Sequence, residues 1–210
     1  MHNTPLEKVP IRDIRLDSSS SPTTDAERIK WKLRPYRSYL GVVGYLMLAS
    51  FPQVAFAYQV LARFNDSYGQ DNWNALMCLI AYLKKHRDCY LSISKHDGMK
   101  FAAFCDSDWN GSELSRSTSG WIIFFGGVPI SWVSRLQRVT ARSTGEAEFI
   151  ALSSLSQEAV FLQMFAQSLH VDKCLFEIFS NDRSRYQADS TLPAGTFSLT
   201  APGPLDGRRT

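Results

Sequence analysis

The chain has 210 residues, enough for one domain of ordinary size with a further small unit and too few for a large multidomain enzyme. Hydrophobic residues make up 44%, aromatic residues 12% and charged residues 20%, which excludes wholesale disorder and collagen-like repeats. A net charge of +3 and a pI near 8.7 are too mild for a polybasic coat protein and leave room for an anionic partner.

Residues 1–27 hold several prolines and a serine run, Ser18 to Ser21, with few large apolar side chains, and are expected to form a flexible arm. No apolar run of seven or more occurs in residues 1–17, so no signal peptide is read there and a cytoplasmic, intracellular setting is expected. Residues 28–37 then interleave Arg28, Lys30, Lys32, Arg34 and Arg37 with Trp31 and Tyr36. Such a stretch either grips phosphates and stacks on bases or is a solvated helix face.

Residues 39–62 carry no charge, a length that could cross a bilayer as one helix. Pro52 lacks the N–H that a helix interior needs, and Ser50 precedes it as a cap, so two packed helices are expected instead, over 36–50 and 52–65. A third helix is predicted over 71–86, where Trp73, Leu76, Ile80 and Leu83 recur at spacings of three and four. His86 and His96, in or near a helix end, are read as solvated caps.

After Gly98 the period changes to two. Short strands are predicted over 100–106, 120–125 and 128–134, the last two joined by the hairpin signal Gly126-Gly127. A long helix follows from Ser143 or Thr144 to about residue 169, with Glu146 in its first turn, and residues 174–180 read as a further strand reached by this crossover. Residues 183–210, rich in proline and glycine, are expected to be largely disordered. The predicted fold class is α/β: a mixed sheet made of an antiparallel three-strand meander, a crossover helix and one more strand, preceded by a small helical segment.

Three acids deserve separate treatment. On the first strand the two-residue period puts Ala102, Phe104, Asp106 and Asp108 on one face, so two carboxylates stand where an apolar face ends. On the long helix Glu148, Leu152, Leu155, Ala159, Leu162 and Ala166 trace one stripe, with Glu148 expected at its head and Glu146 about 200° away around the helix. Asp182 follows the last strand. Carboxylates converging from strand ends and a helix start repel one another unless a divalent cation neutralises them, and oxygen ligands alone favour magnesium or manganese over zinc. The alternative is that these acids are solvated caps. Cys78, Cys89, Cys105 and Cys174 form no Cys-x-x-Cys pair, which excludes zinc-ligand spacing and predicts reduced, mostly buried thiols. Trp109, Trp121 and Trp132 are expected to pack the sheet.

Four ordered motifs then resemble a known family: Asp106-Ser-Asp-Trp-Asn-Gly111, Arg116-Ser-Thr-Ser-Gly-Trp121, Pro129-Ile-Ser-Trp132 and Ser143-Thr-Gly-Glu-Ala-Glu-Phe-Ile-Ala-Leu152. They look like the ribonuclease H segment of copia-type retrotransposon polyproteins. Upstream, Pro52-Gln-Val-Ala-Phe-Ala57, Trp73-Asn-Ala-Leu76 and Tyr82-Leu-Lys84 resemble the stretch that links that family's reverse transcriptase palm to its ribonuclease H. The resemblance covers roughly residues 1–182.

It implies a ribonuclease H-like fold that cuts the RNA strand of an RNA–DNA hybrid with two Mg2+ (or Mn2+) ions, in a virus-like particle of the parent element. Its partners would be the hybrid and the palm domain, with no membrane. Carried over residue by residue, Asp106 and Glu148 become metal ligands and catalytic residues, with Asp182 as the third. Arg28, Lys30, Lys32, Arg116, Ser117 and Thr118 become candidate nucleic-acid contacts, the last three alternatively forming a structural turn. The implied organisation is an arm over 1–27, a helical connection over 28–97, a C-terminally incomplete ribonuclease H-like domain over 98–182 and a tail over 183–210. Two departures predict impaired activity: the family's Asp-Asn pair after the last strand reads Asn181-Asp182, and its later His/Asp/Arg-rich segment has no counterpart. No Tyr-x-Asp-Asp polymerase motif is present. The alternative is a catalytically inactive nucleic-acid-binding remnant of such a polyprotein.

Overall fold

The computed structural model describes residues 10, 11, 16, 21–89, 91, 92, 100–109, 116–169, 176–180 and 196–199. The chain divides into two compact units, residues 1–91 and 92–210.

The first unit is helical. Helix α1, Asp25–Lys32, opens with a reciprocal cap in which the Thr24 side chain accepts the Glu27 N–H and the Glu27 carboxylate accepts the Thr24 N–H. Acids in its first turn and Lys30 and Lys32 in its last complement the helix dipole. A helix face was one of the two alternatives for residues 28–37, and Thr24-x-x-Glu27 is the local signal that starts it. The uncharged run is divided into α2, Tyr36–Ala49, a 3-10 turn at Pro52–Val54 and α3, Ala55–Ala62. At 14 and 8 residues, neither helix reaches the roughly 20 residues that a bilayer requires. Helix α4, Gln70–Lys85, buries Leu76, Leu79 and Leu83 against them, while Trp73 and Ile80 of the predicted stripe pack at its margin.

The aromatic residues of 28–37 belong to this core. Trp31 and Tyr36 are buried, and the Tyr36 ring stacks on Tyr68 with centroids 4.3 Å apart while its hydroxyl donates to the Leu61 carbonyl. The Arg34 guanidinium lies 4.9 Å from the ring centres of both Trp31 and Trp73. Trp31 and Tyr36 are therefore occupied inside the protein, which corrects their reading as base-stacking groups.

The second unit is an α/β layer structure with a mixed, open sheet. Strands β1, Phe101–Asp108, β2, Thr118–Phe125, and β3, Val128–Leu136, form the antiparallel meander. Gly126 and Gly127 have φ of 54° and 77° at the β2–β3 turn, the left-handed pair a tight two-residue hairpin needs and side chains resist. Pro129 cannot donate to a ladder, and the register slips beside it, between Ile123 and Phe124, on an edge strand where this is tolerated. Helix α5, Thr144–Ser168, crosses to β4, Phe176–Ser180, which pairs parallel to β1. A further strand, β5, Thr196–Leu199, pairs antiparallel to β4, so the order is β3-β2-β1-β4-β5. This strand lies within residues 183–210, expected to be largely disordered; the rest of that stretch is outside the described residues.

One face of the sheet is covered by α5. Its buried residues are Ala147, Ala151, Leu155, Ala159 and Ala166, of which the last three share a core with Phe101, Ala103, Cys105, Ile123, Phe176 and Ile178. Four alanines in that row let the helix axis approach the strands closely, and Leu155 fills the centre. Leu155, Ala159 and Ala166 of the predicted stripe are buried and Leu152 and Leu162 pack beside them, but Ala147 replaces Glu148 at its head, and Glu148 lies half-buried at its flank.

Candidate active site

Asp106 sits on β1, the central strand, paired across to Gly120 of β2 and one residue beyond Cys105, which lies level with Ser180 of β4. Strand alternation turns Phe101, Ala103 and Cys105 toward α5, so Phe104, Asp106 and Asp108 occupy the other face. Asp106 is exposed there, and its Oδ1 accepts the Ser107 N–H at 2.8 Å. Gly120, having no side chain, leaves the space beside the carboxylate open. Phe104 stacks on Phe179 at 4.9 Å and meets Phe124 edge-on at 5.9 Å, an aromatic floor that ends at the acids.

The two glutamates of α5 differ as the helical geometry predicts. Ser143 Oγ accepts the Glu146 N–H at 3.2 Å, and the Glu146 carboxylate accepts the Arg142 N–H at 2.7 Å. Glu146 therefore closes the start of the helix. Glu148 lies half-buried next to Ala147, which is fully buried.

A buried amide ties this turn to the strands. Gln137, directly after β3 and 4% exposed, donates its Nε2 to the Ala147 carbonyl and to Ser119 Oγ, each at 2.9 Å. Its backbone N–H donates to the Ser117 carbonyl at 2.8 Å. Farther along α5, Ser154 Oγ accepts the Trp121 indole N–H at 3.1 Å and a guanidinium N–H of Arg135 at 2.7 Å. Ser131 donates to Glu158 at 2.8 Å. The sequence reading passed over Gln137, because one polar residue after a strand resembles a loop residue.

The other candidates are placed as follows. Asp182, Asn181, His96 and Cys174 lie outside the described residues. Arg116 is exposed just before β2, whereas the Ser117 and Thr118 side chains are buried at its start, in the structural setting left open as their alternative. In the first unit Arg28 pairs with Asp25 at 3.3 Å, Lys30 stands 6.0 Å from the Trp31 ring and Lys32 is exposed. His86 caps α4 and packs on Tyr82, with Cys89 Sγ 3.8 Å from its Nδ1. Cys105 is buried and Cys78 half-buried, while Cys89 is exposed, against the expectation for that thiol. Trp121 packs at the core margin, and Trp109 donates to the Ala141 carbonyl at 3.3 Å.

Among the described residues no group of three or more His, Cys, Asp or Glu is gathered that could hold a metal ion. Asp106 and Glu148 offer hard oxygen donors, which suit Mg2+ or Mn2+ and not a zinc site.

These features define the class: an α/β unit with a mixed open sheet, a carboxylate on its central strand and a second, half-buried carboxylate near the start of its crossover helix. No family model matches the chain, and no solved structure gives a significant match. The chain is 30% identical over 172 residues to the retrovirus-related Pol polyprotein from transposon TNT 1-94 of Nicotiana tabacum, a match covering 81% of this chain and 13% of that polyprotein. It is 33% identical over 130 residues to the corresponding polyprotein from transposon RE2 of Arabidopsis thaliana, covering 60% of this chain and 9% of the other. It is 37% identical over 129 residues to secreted RxLR effector protein 161 of Plasmopara viticola, covering 61% of this chain and 91% of that protein. The similarity to retrovirus-related Pol polyproteins supports a retroelement-derived region, and the chain spans a small fraction of the transposon polyproteins it matches.

Proposed function

We propose that the second unit is a ribonuclease H-type domain that hydrolyses the RNA strand of RNA–DNA hybrids, with activity impaired in this copy. The first unit would then be the connection to a reverse transcriptase palm. The observation that carries this reading is topological: Asp106 is on the central strand, between antiparallel β2 and parallel β4, and Glu148 is near the start of the crossover helix that joins the meander to β4. A retroelement origin supports the same reading, because copying an RNA genome into DNA leaves a hybrid whose RNA strand must be removed.

In this reading the Asp106 and Glu148 carboxylates hold Mg2+ or Mn2+, with Asp182 as the third candidate ligand. Such ions, when bound, supply an activated water and charge stabilisation on the leaving oxygen of the phosphodiester. The protein's own part is to keep two like charges at fixed positions. The Ser107 N–H holds one oxygen of Asp106, and α5 packs rigidly enough on the sheet to locate Glu148. Arg116, exposed at the entry to β2, is suited to a phosphate of the substrate backbone.

The test is cleavage of an end-labelled RNA–DNA hybrid in Mg2+ and then in Mn2+, with Asp106→Asn as control. RNA-strand cuts that vanish in the control support the reading. An intact hybrid with a folded protein supports the inactive remnant instead, the alternative that the Asn181-Asp182 order favours. Hybrid binding in that case should still weaken as salt rises.

A further inference from the structure

We propose that Gln137 is a positioning residue: by holding the Ala147 carbonyl it sets the first turn of α5, and with it the Glu148 carboxylate, against the ends of β2 and β3. The proposal rests on the nuclease reading for its functional meaning and on geometry for its structural content.

Three bonds converge on this residue. Its backbone N–H continues the β2–β3 ladder to Ser117, and its side-chain amide spans from Ser119 of β2 to Ala147 of α5. Ser119 stands beside Ser107 in the β1–β2 register, one residue from the Asp106–Gly120 pair. The amide thus links β2, the neighbour of the strand that bears Asp106, to the start of the helix that bears Glu148.

The Ala147 carbonyl does not need this donor. A helix leaves its first N–H groups and its last carbonyls without partners, and a first-turn carbonyl already accepts from the residue four positions on. Ser143 serves the Glu146 N–H, and the Glu146 carboxylate holds the Arg142 N–H just before the helix. A second donor on Ala147 therefore adds location, not satisfaction. Burying a long amide is also unfavourable compared with an apolar side chain of the same volume, since it must give up water and rotamer freedom. Gln137 is 4% exposed nonetheless. Farther along α5, Ser154 accepts from Trp121 and Arg135, and Glu158 accepts from Ser131. Alanines and leucines add packing that is non-directional and resists small rotations weakly. At the N-terminal end of the helix the Gln137 amide supplies the directional restraint.

The variant that isolates this is Gln137→Met, which keeps length and volume and removes the donor. In the intact chain we would measure Mn2+ affinity, the kcat and KM of hybrid cleavage, the melting temperature, and amide hydrogen exchange along α5. Mn2+ affinity and kcat should each fall roughly tenfold or more, the effect typical of losing a group that orients a ligand, with KM unchanged. Exchange should accelerate only at the start of α5, over the first turn and the N–H groups that bond to it, most at the Ala151 N–H that bonds to Ala147. A folded Gln137→Met protein with unaltered Mn2+ affinity, kcat and exchange at the start of α5 would overturn the proposal, whatever its melting temperature. If the wild-type chain neither binds Mn2+ nor cuts, and Asp106→Asn matches it, the nuclease reading fails by itself. The exchange data then still decide the tether: acceleration confined to the start of α5 upholds it, and none overturns it. Should Gln137→Met fail to fold, Gln137→Glu replaces it. A buried carboxyl donates only when protonated, so protection at the start of α5 in that variant should be higher at about pH 5 than at about pH 8; equal protection would overturn the proposal.

Discussion

Cys105 of β1 and Ser180 of β4 lie level across a parallel pair, so the strand that carries Asp106 and the strand that returns from α5 finish at the same end of the sheet. Cys105 itself faces the core, and the next residue along, Asp106, is exposed on the opposite face. The acid is thus held on a rigid central strand while its carboxylate stays accessible.

The two glutamates of α5 should separate cleanly under mutation. Glu148→Gln is expected to lower RNA-strand cleavage by roughly 100-fold or more, about 2.7 kcal/mol of barrier, while leaving the melting temperature nearly unchanged. Glu146→Gln removes a helix-start carboxylate and should cost roughly 0.5–1 kcal/mol of stability with kcat retained. Paired kinetics and thermal melts of the two variants check this, and equal kinetic losses would contradict the assignment.

Leu155 is the large side chain at the centre of the α5 row and is fully buried, whereas Phe161 on the same helix is 60% exposed. Leu155→Ala should destabilise the second unit by about 2–5 kcal/mol, through lost transfer free energy and the cavity left behind. Phe161→Ala should stay within roughly 0.5 kcal/mol. Denaturant titrations of both variants would show the contrast.

Burial raises the pKa of Tyr36 and of Tyr68 above the ordinary 10.0, with the neighbouring phenol adding to the effect at Tyr36. The folded state therefore keeps protons that the unfolded state releases first. Stability from these groups is complete below pH 10.0 and is lost as pH rises toward the folded values. The first unit is expected to unfold in the alkaline range, followed by tyrosinate absorbance at 295 nm and far-UV circular dichroism. Tyr36→Phe should abolish most of that alkaline sensitivity.

The Tyr68 hydroxyl meets the Trp31 and Arg34 carbonyls at the end of α1. Tyr68→Phe leaves those carbonyls without this donor and should cost about 1–3 kcal/mol, with the ring stack on Tyr36 retained. A chemical melt of the variant tests the size of the loss.

Much of this was legible in advance because it is local. Pro52 divides the uncharged run, since a missing N–H breaks a helix wherever it falls, and the Gly126-Gly127 pair marks the hairpin, since only glycine takes both left-handed conformations without strain. The inequality of Glu146 and Glu148 follows from 3.6 residues per turn alone. Helix α1 was also written locally, in Thr24-x-x-Glu27, a cap that favours the helix-face alternative for the basic, aromatic stretch after it.

What the chain could not state locally is which neighbour each face meets. Trp31 and Tyr36 look like base-stacking groups until α4 and Tyr68 close over them. The head of the α5 stripe moves from Glu148 to Ala147 because small side chains bury as readily as large ones when a helix lies close to a sheet, and periodicity does not count alanine as an anchor. Strand β5 depends on an unpaired edge of β4 offering its ladder, and Gln137 becomes a tether only when β2, β3 and α5 are brought together. Turns, caps and helical phase are thus set by backbone sterics within a few residues, whereas burial and partner choice arise from contacts between segments distant in the chain.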